Sequence, residues 1–133
     1  MVDKHIAAAA IVDDAGRLLL VRKRNTLYFM QPGGKLDAGE SPESALIREL
    51  REELDLVITP GDLTPLGQFT DVAANEPGHL LVADIFRIHN VSGDLQPAAE
   101  IEEVRWVPPT EFDSLMLAPL TAKQIIPLVY AAV

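Results

Sequence analysis

Apolar positions along the chain fall into short runs separated by turn residues. Ile6-Ala-Ala-Ala-Ala-Ile-Val12 is unbroken and ends at Asp13-Asp14-Ala15-Gly16, a cluster with turn chemistry. A second apolar run, Arg17-Leu-Leu-Leu-Val-Arg22, follows directly. Two such runs around a turn predict a β-hairpin. Asn25 to Gly39 carries Pro32 and three glycines and reads as a structured loop with a short strand at Tyr28 to Gln31. Leu63 to Thr70 and His79 to His89 predict further strands, the second with Leu81, Ala83, Ile85 and Ile88 among its apolar residues. Val104 to Val107 is a short strand stopped by Pro108-Pro109.

Helical signals lie between these runs. Ser41-Pro42-Glu43-Ser44 combines a capping serine, a proline preformed for the first helical position and an acid in the positive first turn. The helix is expected to run to about Leu54, with Leu46, Leu50 and Leu54 in one stripe against the core. Thr110 is placed to cap a short helix through Leu115, and Thr121 to Ala132 reads as a final helix interrupted by Pro127. No repeat or linker divides the chain, so residues 1–133 are expected to form one domain. Strands and helices mix without strict alternation, which predicts an α+β fold, a mixed β-sheet flanked by helices as an α/β/α sandwich.

Composition narrows the function. At 133 residues the chain can bury one core, and an apolar fraction of 48% supports doing so. The absence of cysteine removes disulfides, thiolate catalysis and Cys-based zinc sites. No run approaches the roughly 20 apolar residues of a membrane span, and the N-terminus lacks the layout of a secretory leader, so a cytoplasmic protein without membrane partners is expected. Net charge is −9, from 20 acidic and 11 basic residues. Such a surface repels polymeric nucleic acid but admits a small phosphate ester if cations intervene. The oligomeric state is not legible, and a homodimer is left open.

Candidate chemistry concentrates in one segment. Glu49, Glu52 and Glu53 are spaced i, i+3, i+4, so their side chains share a face of the helix beside the leucine stripe. Alone, that pattern reads first as a solvated face with Arg48–Glu52 and Arg51–Asp55 pairs. Gln31-Pro32-Gly33-Gly34-Lys35 leads into Leu36-Asp37-Ala38-Gly39-Glu40, and adjacent glycines let the main chain approach a ligand closely. Alone, that too reads first as a tight turn.

Taken together, the two pieces give Gly34, five residues, Glu40, seven residues, Arg48-Glu49-Leu50, one residue, Glu52-Glu53, one residue, Asp55-Leu56. This resembles the box of the Nudix hydrolase family, with eight of nine fixed positions matched. The departure is Asp55, where the family has glycine just past the helix. Asp visits the left-handed conformation at a cost of roughly 1 kcal/mol.

The resemblance implies a Nudix-type fold and hydrolysis of a diphosphate linkage in a nucleoside diphosphate derivative, with Mg2+ as cofactor and Mn2+ as substitute. It implies Glu49, Glu52 and Glu53 as metal-binding and catalytic carboxylates, with the Gly33 carbonyl as a further ligand and Glu49 as one candidate general base. An acid outside the box completes such sites: Glu100 is selected, with Glu102 and Glu103 as alternatives. Gly34, Glu40 and Arg48 are implied to be structural, the last two as a pair holding loop to helix. Lys35, Arg22 and Arg24 are candidate phosphate contacts, and Tyr28 and Phe29 candidate base-stacking residues. Trp106 reads as core, and His5, His79 and His89 show no ligand spacing. Within the family the compact chain resembles MutT-like nucleoside triphosphate pyrophosphohydrolases. ADP-ribose-cleaving members carry a proline about fifteen residues past the box, a place lacking one here; dinucleoside polyphosphate members carry a tyrosine slightly later, whereas this chain has only Tyr28 and Tyr130. The alternatives are those two enzyme classes and a nucleotide-sensing Nudix fold that does not cleave.

Overall fold

The computed structural model describes residues 4–73, 78–89, 91 and 95–130. Among the described residues, seven strands form two sheets. In the first, β4 (Gly33–Lys35), β1 (Lys4–Ile11), β6 (Leu80–Ile88) and β5 (Leu63–Val72) lie side by side, β1 and β6 parallel and the other pairs antiparallel. In the second, β2 (Leu18–Lys23) runs between β3 (Phe29–Met30) and β7 (Ile101–Val107), all antiparallel.

The expected hairpin does not form as such. Among the described residues the backbones of β1 and β2 pair only at the Val12–Leu18 bridge and the turn closed by Asp13 and Arg17, and the strands then diverge into different sheets. The physical reason lies in the unbroken apolar runs themselves. Ala7, Ala9 and Ile11 face one core cluster while Ala8 and Ala10 face another. In β2, Leu19 and Val21 face the first cluster while Leu18 and Leu20 face a third. Strands covered on both faces read as continuous hydrophobic runs, unlike the alternating strands of a one-faced hairpin. The expected single sheet is thus two sheets splayed apart from a common turn.

α1 (Pro42–Leu54) packs Ala45, Leu46, Leu50 and Leu54 into the first cluster, where both sheets meet it. The Ser41 hydroxyl accepts from the Ser44 N–H at 3.1 Å, as the capping signal requires. The helix ends at Asp55 in the left-handed region, φ 53° and ψ 33°. There the Asp55 N–H donates to the Arg51 carbonyl, the bond of an αL cap, and the Leu56 N–H donates to the Leu50 carbonyl. Leu56 packs on the same cluster as Leu50, the apolar contact that accompanies such a cap. Asp55 thus adopts the left-handed conformation that glycine would take most readily at this place.

On the opposite side, a C-terminal segment covers both sheets. Residues 121–125 form a wide turn in which the Ile126 N–H donates to the Thr121 carbonyl, followed by α2 (Ile126–Tyr130). Pro127 has no N–H to continue the regular ladder, and the helix is widened at this point. Leu120 and Ile125 pack on β1 and β6, while Ile126 and Tyr130 pack on β2 and β7. This completes the layered α+β arrangement. The helix expected from Thr110 is a 3-10 segment, Pro109–Ser114, which begins after Pro108 without a side-chain cap. Residues 131–132 of the expected last helix lie outside the described residues. No described helix is long and apolar enough to cross a membrane.

Candidate active site

The divergence of β1 and β2 opens a cleft of about 320 Å³ lined from β1 by Lys4, Ile6 and Ala8 and from β2 by Val21 and Lys23. The chain crosses it through Gln31-Pro32, passing from β3 in one sheet to β4 in the other. Gly33 and Gly34 line the cleft, and Glu49, Glu53 and Glu100 converge there, with one carboxylate oxygen from each within 4.8 Å of the others.

The glycine pair is a steric demand of this convergence. A Cβ on Gly33 would lie 2.1 Å from the Ala7 carbonyl oxygen, and its φ of 149° is open only to glycine. A Cβ on Gly34 would instead meet the end of the Glu49 side chain, 2.4 Å from Cδ. The two positions should therefore fail differently. Gly33→Ala collides with backbone and is expected to cost about 3 kcal/mol or more in a denaturant melt. Gly34→Ala is expected to fold normally yet lose activity, because the carboxylate that gives way is Glu49.

Glu53 is 1% exposed. Its Oε1 accepts the Gly33 N–H at 3.3 Å, while its Oε2 is buried without a partner. Burial, reinforced by the charge of Glu49, pushes its carboxyl up to about 8. Burial also raises the Glu49 carboxyl, against the opposing pull of Arg48. Glu100 is held from both sides by backbone bonds: its carbonyl accepts the Arg24 N–H at 2.8 Å, and the Ala98 N–H donates to the Glu53 carbonyl at 2.9 Å. Lys23 Nζ stands 3.4 Å from Glu100 Oε1. An orphaned buried carboxylate oxygen, two raised carboxyls and an all-oxygen donor set fit a hard divalent cation such as magnesium.

Arg48 braces the site. Its guanidinium grips both oxygens of Glu40 at 2.8 and 2.9 Å, donates to the Lys35 carbonyl and reaches Glu49 Oε1 at 2.7 Å. Those bonds hold the Glu40 carboxyl down at about 2 and raise Arg48. One cation thus ties the loop, the helix and a clustered carboxylate together.

Other candidates fall elsewhere. The Glu52 side chain is 53% exposed, 3.6 Å from Arg48, and is outside the three-carboxylate group, although its charge reaches Glu49. Glu102 is exposed, and Glu103 is paired with Arg22 and Arg105. Lys35 lines the cleft; Arg22, Arg24, Tyr28 and Phe29 do not. Arg22 turns to Glu103 and the Thr26 carbonyl. Arg24 is exposed, and Tyr28 is half-buried. Phe29 is buried in the third core cluster, with the Arg105 guanidinium 5.3 Å from its ring centre. Trp106 packs against the main core. Strand alternation would have selected Lys23 over its arginine neighbours, since it shares the face of Val21. Nothing local in the sequence marks Gln31 or Thr121, which bond to each other in the cleft wall.

A family model described as the NUDIX domain matches residues 3–129. The chain belongs to the NUDIX family. It is 32% identical over 125 residues to an 8-oxo-dGTP diphosphatase of Haemophilus influenzae, covering 91% of this chain and 88% of that one. It is 26% identical over 104 residues to an ADP-ribose pyrophosphatase of Methanocaldococcus jannaschii, covering 76% of this chain but only 60% of the relative's length. The crystal structure of a MutT protein from Methanosarcina mazei superposes with a TM-score of 0.75 at 24% identity, over 95% of this chain and 91% of the other, which places the fold in the same NUDIX class.

Proposed function

We propose that this NUDIX chain hydrolyses a diphosphate linkage in a small nucleoside diphosphate derivative, with a MutT-like nucleoside triphosphate pyrophosphohydrolase as the leading subclass. The observation that carries the reading is the convergence of Glu49, Glu53 and Glu100 against the glycine turn, with one oxygen of Glu53 buried and unpaired. The support for a nucleotide is the similarity to an 8-oxo-dGTP diphosphatase and to an ADP-ribose pyrophosphatase. The better length match of the first favours a triphosphate.

Glu49, Glu53 and Glu100 would hold the cation, with Glu52 at the outer edge of the group and the Gly33 main chain beside it. When bound, magnesium supplies positive charge against the diphosphate oxygens and acidifies water. Lys4, Lys23 and Lys35 line the same cleft and favour entry of the anionic end of the substrate. Glu49, desolvated and oriented by Arg48, is placed to take a proton from the attacking water. Arg48 and Glu40 hold the loop so that the carboxylates do not splay apart under their mutual repulsion.

The test is a panel of nucleoside triphosphates, dinucleoside polyphosphates and ADP-ribose, assayed for phosphorylated products with magnesium, with manganese and with chelator. The account expects metal-dependent cleavage, strongest on a nucleoside triphosphate and releasing pyrophosphate. Tight binding without product on any member would replace the enzyme with a sensor.

A further inference from the structure

Gln31 stands where the chain crosses the cleft between the two sheets, and its side chain is not used by the carboxylate site. It is 6% exposed and lines the cleft. Its Oε1 accepts the Thr121 hydroxyl at 2.8 Å, in a bond spanning 90 residues of sequence. Its Nε2 is buried and has no partner. Thr121 is itself fully buried and opens the wide helical turn that covers this end of the cleft. The same cleft is lined by the apolar Ile6, Ala8, Met30, Leu81 and Leu120. The lining thus combines carboxylates and lysines with apolar side chains and the unpaired amide donor of Gln31.

An unpaired buried donor is costly, and a site of this kind discriminates strongly between ligands that satisfy it and ligands that do not. In the structure the Thr121 hydroxyl donates to the amide oxygen, and the N–H end of the amide is left over. We propose that Gln31 is a specificity-determining residue whose Nε2 donates to an exocyclic oxygen of a nucleobase, so that the chain selects oxo-bearing bases over their amino counterparts. The assignment rests on the reading of the cleft as a nucleotide site and adds the chemical class of base. An oxo group presents an acceptor to the amide, whereas an amino group at the same ring position presents a donor to a donor. Thr121 is the positioning residue, because without its hydroxyl the amide is free to turn its oxygen toward the ligand.

Calorimetric binding of α,β-methylene triphosphate analogues, which resist cleavage, tests this in the presence of magnesium. Inosine against adenosine and uridine against cytidine form matched oxo–amino pairs. Wild type is expected to bind the oxo member about ten-fold more tightly in each pair that binds. Gln31→Met should reduce that preference to about two-fold or less by weakening the oxo member alone. Thr121→Val should erode it as well, and it serves where Gln31→Met lowers the melting temperature too far for binding to be read. Equal affinities in wild type, or a preference untouched in both variants, would overturn the role of Gln31 while metal-dependent turnover in the nucleotide panel still upheld the hydrolase. Selective binding without turnover would do the reverse, and failure of every analogue to bind would overturn the role of Gln31.

Discussion

Glu53→Gln is expected to lower magnesium-dependent turnover about a thousand-fold, equivalent to about 4 kcal/mol of activation free energy, while the protein stays folded. The amide has the shape of the carboxylate and keeps an oxygen for the Gly33 N–H, which Glu53 Oε1 now accepts. What it removes is the negative charge beside Glu49 and Glu100, and with it a cation ligand. Glu49→Gln is expected to act in the same direction and to weaken one of the bonds that orient Arg48. Glu52→Gln tests the outer edge of the group, where a loss of turnover would show that the half-exposed side chain turns inward when the cation is present. Steady-state kinetics with circular dichroism on the same samples separates these effects from unfolding. Turnover within about two-fold of wild type in Glu53→Gln would remove Glu53 from the mechanism.

The same residue makes the metal-free protein sensitive to pH in an unusual direction. In the unfolded chain Glu53 ionises near 4.5, and in the folded chain burial and Glu49 hold its proton until about 8. Between those values the folded state binds a proton that the unfolded state has released, so stability must fall as pH rises through the window. Glu49, also raised by burial, adds to the trend with the same sign. The loss is on the order of a few kcal/mol, which for a domain of this size lowers the melting temperature by about 10 °C between pH 5 and pH 8.5. Glu40, Asp13, Asp62 and Glu103 are shifted the other way, and their contribution is lost only as pH falls below the ordinary carboxylate range. Magnesium should flatten the upper branch, because it binds the ionised carboxylates of the folded state and not the dispersed ones of the unfolded chain. Glu53→Gln should flatten that branch without metal. A metal-free melting temperature that rises from pH 5 to pH 8.5 would show that Glu53 is not held protonated.

What could be read from the sequence was what is encoded locally. Ser41 and Pro42 announce α1 because capping is settled within one turn, and the i, i+3, i+4 spacing of Glu49, Glu52 and Glu53 places them on one face wherever the helix packs. The left-handed cap at Asp55 is legible only through the resemblance, whose pattern has glycine at that place. The split of β1 and β2 was not, since an unbroken apolar run is compatible with a hairpin and with a strand buried on both faces. Nor was the choice among Glu100, Glu102 and Glu103, which depends on tertiary bonds from Arg24 to Glu100 and from Ala98 to Glu53. Gly33 and Gly34 were legible as a turn, but their separate reasons, the Ala7 backbone and the Glu49 carboxylate, exist only in the packed structure. Gln31 and Thr121 are bonded across 90 residues, beyond any pattern of spacing.

Crystals soaked in manganese, with anomalous diffraction recorded at its absorption edge, test the central claim most directly. A strong peak is expected in the cleft, bonded to oxygens of Glu49, Glu53 and Glu100 and lost in Glu53→Gln. A cleft free of anomalous signal at saturating manganese, with the three carboxylates turned away from one another, would contradict it.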